Sequence, residues 1–147
     1  MKKFRLRALK TKKYFDVIVY DTVEELRKAA NDYDGKAGKN VSNDDILGIC
    51  HPFERTTVIA KGQKGRPKRH PNIGILRFTK THTTTQVVFH ETMHAAFWQY
   101  RLSLPKKDQA KADFGESSGP KEEAFLHLAD RLYIKMVRQM YRHKFWK

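Results

Sequence analysis

Cysteine is almost absent from this 147-residue chain. Cys50 stands alone, so no internal disulfide forms and the core must hold by packing. A lone thiol suits a reducing compartment, and at the end of a strand-like stretch Cys50 reads as a small buried hydrophobe. Long apolar runs are also missing: none approaches the ~18 residues that span a bilayer. The leading Met1-Lys2-Lys3-Phe4-Arg5-Leu6-Arg7 lacks the apolar stretch of a secretory signal. These absences lead us to expect a soluble, cytoplasmic protein with no membrane partner. There are no internal repeats, heptads or low-complexity tracts, which excludes solenoids and coiled coils. Acids are scarce, 16 Asp and Glu against 30 Lys and Arg, for a net charge of +14.

What is present is one domain's worth of chain, residues 1–147, with its positive charge gathered in three places. The N-terminal segment 1–13 holds seven Lys and Arg and no acid; the loop 61–71 holds Lys61, Lys64, Arg66, Lys68 and Arg69; the tail from Arg131 to Lys147 holds six more. Such clustering predicts electrostatic contact with a polyanion, nucleic acid among the candidates, or simply a highly charged solvated face.

Tyr14–Tyr20 is rich in β-branched and aromatic residues and predicts a strand. Asp21 or Thr22 then caps a helix with Glu24 and Glu25 in its first turn and Val23, Leu26 and Ala30 among its apolar positions. Residues 31–43 are polar and loop-like. Further strands are expected at Ile46–Cys50, Thr56–Ala60 and Ile73–Thr79, the last two separated by the basic Gly- and Pro-containing loop 61–71. A nearly all-round apolar helix follows from Thr85 to about Ser103, capped by one of the preceding threonines and stopped by Pro105. A polar connection, with a turn of helix around Asp108–Phe114, leads to a last helix from Pro120 to about Tyr141. The order predicts an α+β fold with a small, mainly antiparallel sheet.

One string states a chemistry. His90-Glu91-Thr92-Met93-His94 lies inside the apolar helix, where positions i and i+4 share a face. Both imidazoles can reach one metal ion, with Glu91 beside them as a base. A catalytic zinc takes three protein ligands, so one more is needed downstream. Tyr100 occupies the position that the HExxHxxGxxH pattern gives to histidine, which removes that subclass. The options are His127 or an acid of the last helix. The inward stripe there is Phe125, Leu128, Ala129, Leu132 and Met136; Glu122 falls at its edge, Glu123 about 100° further round, and His127 nearly opposite. Periodicity therefore favours Glu122, although both glutamates also suit a helix's first turn. The expected reaction is peptide-bond hydrolysis in a protein or peptide substrate, with zinc on His90, His94 and Glu122 and Glu91 moving the proton. His82, Tyr100 and Tyr133 are candidate oxyanion stabilisers by proximity, and Ile73–Thr79 is a candidate edge for pairing with an extended peptide.

The runs Gly74–Phe78, Val87–Ala95 and Glu122–Leu132 resemble the minimal gluzincins of phages and bacteria, relatives of the ImmA/IrrE metallopeptidases. In those proteins a short sheet precedes the HExxH helix, and a later helix supplies a glutamate in a pattern close to ExxANxFAxxL. Glu122, Leu128, Ala129 and Leu132 fall on that pattern, with Phe125 and Leu126 in place of Ala-Asn. The likeness spans roughly Ile73 to Arg138. It implies a zincin-like fold, the metal ligands His90, His94 and Glu122, the base Glu91, a Zn²⁺ cofactor and a protein substrate, some relatives cutting DNA-bound repressors. A phage-encoded protein would act in the host cytoplasm. The competing expectation is a basic module that binds nucleic acid or a host protein around a structural or inactive zinc site.

Overall fold

The computed structural model describes residues 1–8, 11–36, 38, 42–53, 70–109 and 120–147. The expected strand Thr56–Ala60, nearly all of the basic loop 61–71 and the later part of the turn at Asp108–Phe114 lie outside them.

The fold is α+β. Its elements are β1 (Lys2–Arg7), β2 (Tyr14–Tyr20), α1 (Val23–Lys36), β3 (Gly48–Pro52), β4 (Asn72–Thr79), α2 (Thr85–Ser103), α3 (Lys106–Gln109) and α4 (Pro120–Arg142). The four strands form one sheet in the order β1-β2-β4-β3. β1 pairs with β2 and β3 with β4 antiparallel, but the central β2/β4 pairing is parallel. The sheet is therefore mixed, and the expectation of a mainly antiparallel sheet is corrected at its centre. The cause is connectivity: after β2 the chain passes through α1 and β3 before β4 returns beside β2 in the same direction, which a hairpin turn cannot do. β4 is consequently an interior strand, with both backbone edges paired. It is not the free edge expected from the sequence; among the described residues the free edges belong to β1 and β3.

Two elements exceed their sequence-based outlines. The basic N-terminal segment contains strand β1, in which Phe4 and Leu6 alternate with outward Lys3, Arg5 and Arg7 and Leu6 is buried. Helix α1 continues through residues 31–36, a stretch expected to be loop, because Tyr33 and Asp34 find tertiary partners there. Tertiary bonding overrides weak propensity. The start of α1 follows expectation: Thr22 Oγ1 accepts from the Glu25 N–H (3.3 Å), and the Glu25 carboxylate accepts from the Asp21 N–H (3.1 Å).

The sheet is covered on both faces. Phe15, Val17 and Val19 of β2 and Leu76 and Phe78 of β4 are fully buried with Val88, Ala95, Leu132, Met136 and Met140 of α2 and α4. Each large apolar side chain removed from water there contributes roughly 1.5–3 kcal/mol. α2 and α4 run antiparallel, Phe89 meeting Tyr133 edge-on at 5.2 Å and Phe97 meeting Phe125 at 6.3 Å. Arg77, between Leu76 and Phe78, points to the opposite face and lies over the Tyr33 ring of α1 at 5.1 Å. That face holds a buried polar cluster. Asn43 Nδ2 donates to Asp34 Oδ2 (3.0 Å), which lies 3.2 Å from His51 Nε2, while Arg77 reaches His51 Nδ1. A guanidinium only donates, so Nδ1 accepts and the Nε2–H donates to Asp34. The cluster ties β3 and β4 to α1. No described helix is long and apolar enough to cross a membrane.

Candidate metal centre

Helix α2 carries the HExxH string, and its position follows from its ends. Thr84 Oγ1 accepts from the Val87 N–H (3.3 Å) and fixes the first turn. Val88, Thr92, Ala95 and Ala96 are buried, which turns His90 and His94 outward. Their Nε2 atoms converge to 3.1 Å, with ring centroids 4.7 Å apart and planes at 83°. Two ligand nitrogens ~2.0–2.1 Å from a tetrahedral zinc lie about 3.3 Å from each other. The pair is thus spaced as a chelating pair. Partial burial pushes the His94 imidazole below its ordinary pKa, and the neighbouring His90 adds to this, favouring the neutral form that a metal takes.

Glu91 faces the other way, into the protein. It is 7% exposed and accepts a hydrogen bond from the backbone N–H of Cys50 in β3. Burial holds its carboxyl above the usual range, against the opposing pull of His90 and the Cys50 N–H. A carboxyl raised above its usual range is a stronger proton acceptor than an ordinary one, which suits a general base. The close approach of β3 depends on Gly48: a Cβ there would stand 2.8 Å from Val87 Cγ1 and 3.1 Å from Glu91 Cγ. Beside His90 and Glu91 lies a cavity of about 340 Å³ lined also by Asp45, Leu47, Gly48, Gln86 and Val87. Asp45 and Gln86 were not singled out from the sequence: Asp45 reaches the site only because β3 packs against α2, and Gln86, one turn before His90 on α2, belongs to no motif.

The structure brings His90, Glu91 and His94 together, but Glu122 is elsewhere. It is exposed in the first turn of α4, as is Glu123, which pairs with the exposed His127 at 3.1 Å. Phe125 packs near Phe97 and Tyr100, and Tyr133 near Phe89, so the part of α4 level with His94 lies between Phe125 and Tyr133. Glu122 precedes that level. Among the described residues no group of three or more His, Cys, Asp and Glu side chains is gathered closely enough to hold a metal ion. The two histidines fit zinc as a pair, and the rest of α4's inward stripe is where the sequence put it, with Ala129, Leu132 and Met136 buried. Of the candidate oxyanion stabilisers, Tyr133 meets Phe89 beside His90, Tyr100 is buried toward Phe125, and His82 Nδ1 is bonded by Thr81 Oγ1 at 2.9 Å. Comparison with protein-family models, with curated proteins and with solved structures gives no match to this chain.

Proposed function

We propose that this chain is a zinc-dependent metallopeptidase of gluzincin type, with a zincin-like fold, that hydrolyses a peptide bond in a protein substrate. The observation that carries this reading is the convergence of His90 and His94 Nε2 to 3.1 Å with a buried, proton-accepting Glu91 beside them. His90 and His94 would hold the ion, with Glu122 as the third ligand once the first turn of α4 is drawn toward them, and the ion when bound would polarise a carbonyl and acidify water. Glu91 supplies the proton movement, accepting at its carboxylate and returning the proton to the leaving amine. The Cys50 N–H keeps that carboxylate aimed from β3. The edge of β3 beside the cavity, free among the described residues, can pair with an extended segment of substrate, a role that interior β4 cannot play. A DNA-associated substrate in the cytoplasm accords with the net charge of +14.

A second reading, a basic binding module around a structural or inactive zinc, is favoured by the lack of a third gathered ligand among the described residues. Two measurements separate the readings. Metal analysis after zinc reconstitution should give about one zinc per chain, lost in His90→Ala and His94→Ala and kept in Glu91→Gln. Cleavage profiling on a proteome-derived peptide library should then show products for the wild type that Glu91→Gln lacks. A wild type that takes up no zinc, or a Glu91→Gln variant that cleaves equally, overturns the peptidase reading.

A further inference from the structure

The two terminal basic segments, far apart in sequence, meet in space. β1 and α4 enclose a groove of about 530 Å³ whose walls carry Arg5, Arg7, Lys135, Arg138, Arg142 and His143, and among the described residues no carboxylate lines it. A second cavity of about 400 Å³ shares His143 and adds Lys2, Lys80 and Lys144, so the positive surface is a strip rather than a spot. Two cations are partly answered: Arg5 Nε lies 3.8 Å from Asp16, and Lys80 pairs with Asp21. Arg7, Arg138, Arg142 and Lys144 have no carboxylate partner among the described residues.

We propose that this groove binds the sugar-phosphate backbone of nucleic acid without regard to base sequence. Arg138 and Arg142 stand one turn apart on α4, ~6 Å along its axis, and Arg5 and Arg7 stand on alternate residues of β1, ~6.7 Å apart. Arg5 and Arg7 leave the face of β1 opposite α4, so the two sets of guanidinium groups flank this sheet edge from either side and offer forked donors to phosphates of a strand lying along it. An acidic peptide would call for an apolar anchor pocket, which these walls lack: Leu6 is buried and Phe4 is half-covered and stacked on His143 at 4.6 Å. A membrane surface would call for fully exposed apolar side chains beside the cations, whereas the apolar wall of the groove is the part-covered Phe4 and the buried Leu6. β1 is the sheet edge opposite β3, roughly 14 Å away across three strand spacings. Nucleic acid on β1 therefore leaves the cavity at His90 and Glu91 open, and the proposal stands independently of the zinc chemistry.

The test uses the full chain and a short fluorescent DNA duplex of mixed sequence, with anisotropy read across a salt series. The wild type should bind at low salt and weaken steeply as salt rises. Arg138→Ala/Arg142→Ala should lose about tenfold or more in affinity and flatten the log–log salt slope by about two. Arg5→Ala/Arg7→Ala, on the other wall, should do the same, and Glu91→Gln should bind as wild type. Lys106→Ala/Lys107→Ala on α3 removes the same charge elsewhere and should change little. Thermal melting confirms that each variant is folded. No binding at low salt, or equal losses from the α3 pair and the groove pairs, overturns the proposal. So does loss of binding to phosphatidylserine vesicles in the groove variants while duplex affinity is kept.

Discussion

At the residue scale, burial decides what each chemically active side chain can do. Cys50 and Glu91 are neighbours across the β3/α2 contact, and burial together with the Glu91 carboxylate drives the Cys50 thiol far above its ordinary pKa, Arg77 opposing. The thiolate is the reactive form. Ellman's reagent at neutral pH should therefore leave the native protein unlabelled and modify Cys50 once the chain is unfolded in guanidinium; rapid labelling of native protein would contradict this burial. On the other face of the sheet, Asp34 is, among the described residues, the carboxylate that meets His51 and Asn43 in the cluster with Arg77, and each of the four is 5% exposed or less. Removing one partner of a buried ionic cluster leaves the others desolvated without compensation. Asp34→Ala should cost about 3–5 kcal/mol in denaturant titration, and a loss below about 1 kcal/mol would mean that water already answers the cluster. Nothing in the sequence announced this group. Asp34 lay in a stretch that read as loop, and His51 and Arg77 acquire their partner only through the packing of α1.

At the element scale, the β3/α2 contact holds Glu91 in place, and Gly48 permits it. Gly48→Ala puts a Cβ against Val87 Cγ1 and Glu91 Cγ, so those side chains or β3 itself must shift. We expect a stability loss of about 1–3 kcal/mol, together with a fall in any Glu91-dependent cleavage while zinc stoichiometry is kept. Unchanged stability and cleavage would show that β3 does not position Glu91. Helix α4 poses the complementary question. If Glu122 completes the zinc site, Glu122→Ala should lose zinc to a chelator far faster than Glu123→Ala, and equal retention would remove Glu122 from the ligand set. Helical periodicity made the inward stripe of α4 legible in advance, because each buried position recurs every three or four residues. It could not set the axial register of α4 against α2. That register depends on how Phe125 packs near Phe97 and Tyr100, and it leaves Glu122 ahead of the level of His94.

At the scale of the whole molecule, charge organises both edges of the sheet and one corner of it. Asp21, at the end of β2, bonds Lys80 after β4 and the N-terminal amine before β1, and these hold its carboxyl at about 2, below the ordinary 3.8. A carboxyl depressed in the folded state contributes stability fully above its unfolded pKa and loses it as pH falls toward the folded value. Thermal melts should therefore show a decline between pH 4 and 2 that is shallower in Asp21→Asn than in wild type; parallel declines would show that this corner does not couple to folding. The sequence alone was enough for the elements that local rules govern: the capped helix at Thr22, the strand Tyr14–Tyr20, the helix from Thr85 stopped before Pro105, the last helix from Pro120, and two imidazoles on one helix face at positions i and i+4. Each depends on neighbours within a few residues, so periodicity and capping suffice. The tertiary structure decided the rest: the parallel centre of the sheet, β3 rather than β4 as the edge beside the motif, the polar cluster under α1, the placement of Glu122, and the meeting of the two basic termini along β1 and α4. Those features join residues distant in sequence, and long-range packing rather than local preference selects among the arrangements available to them.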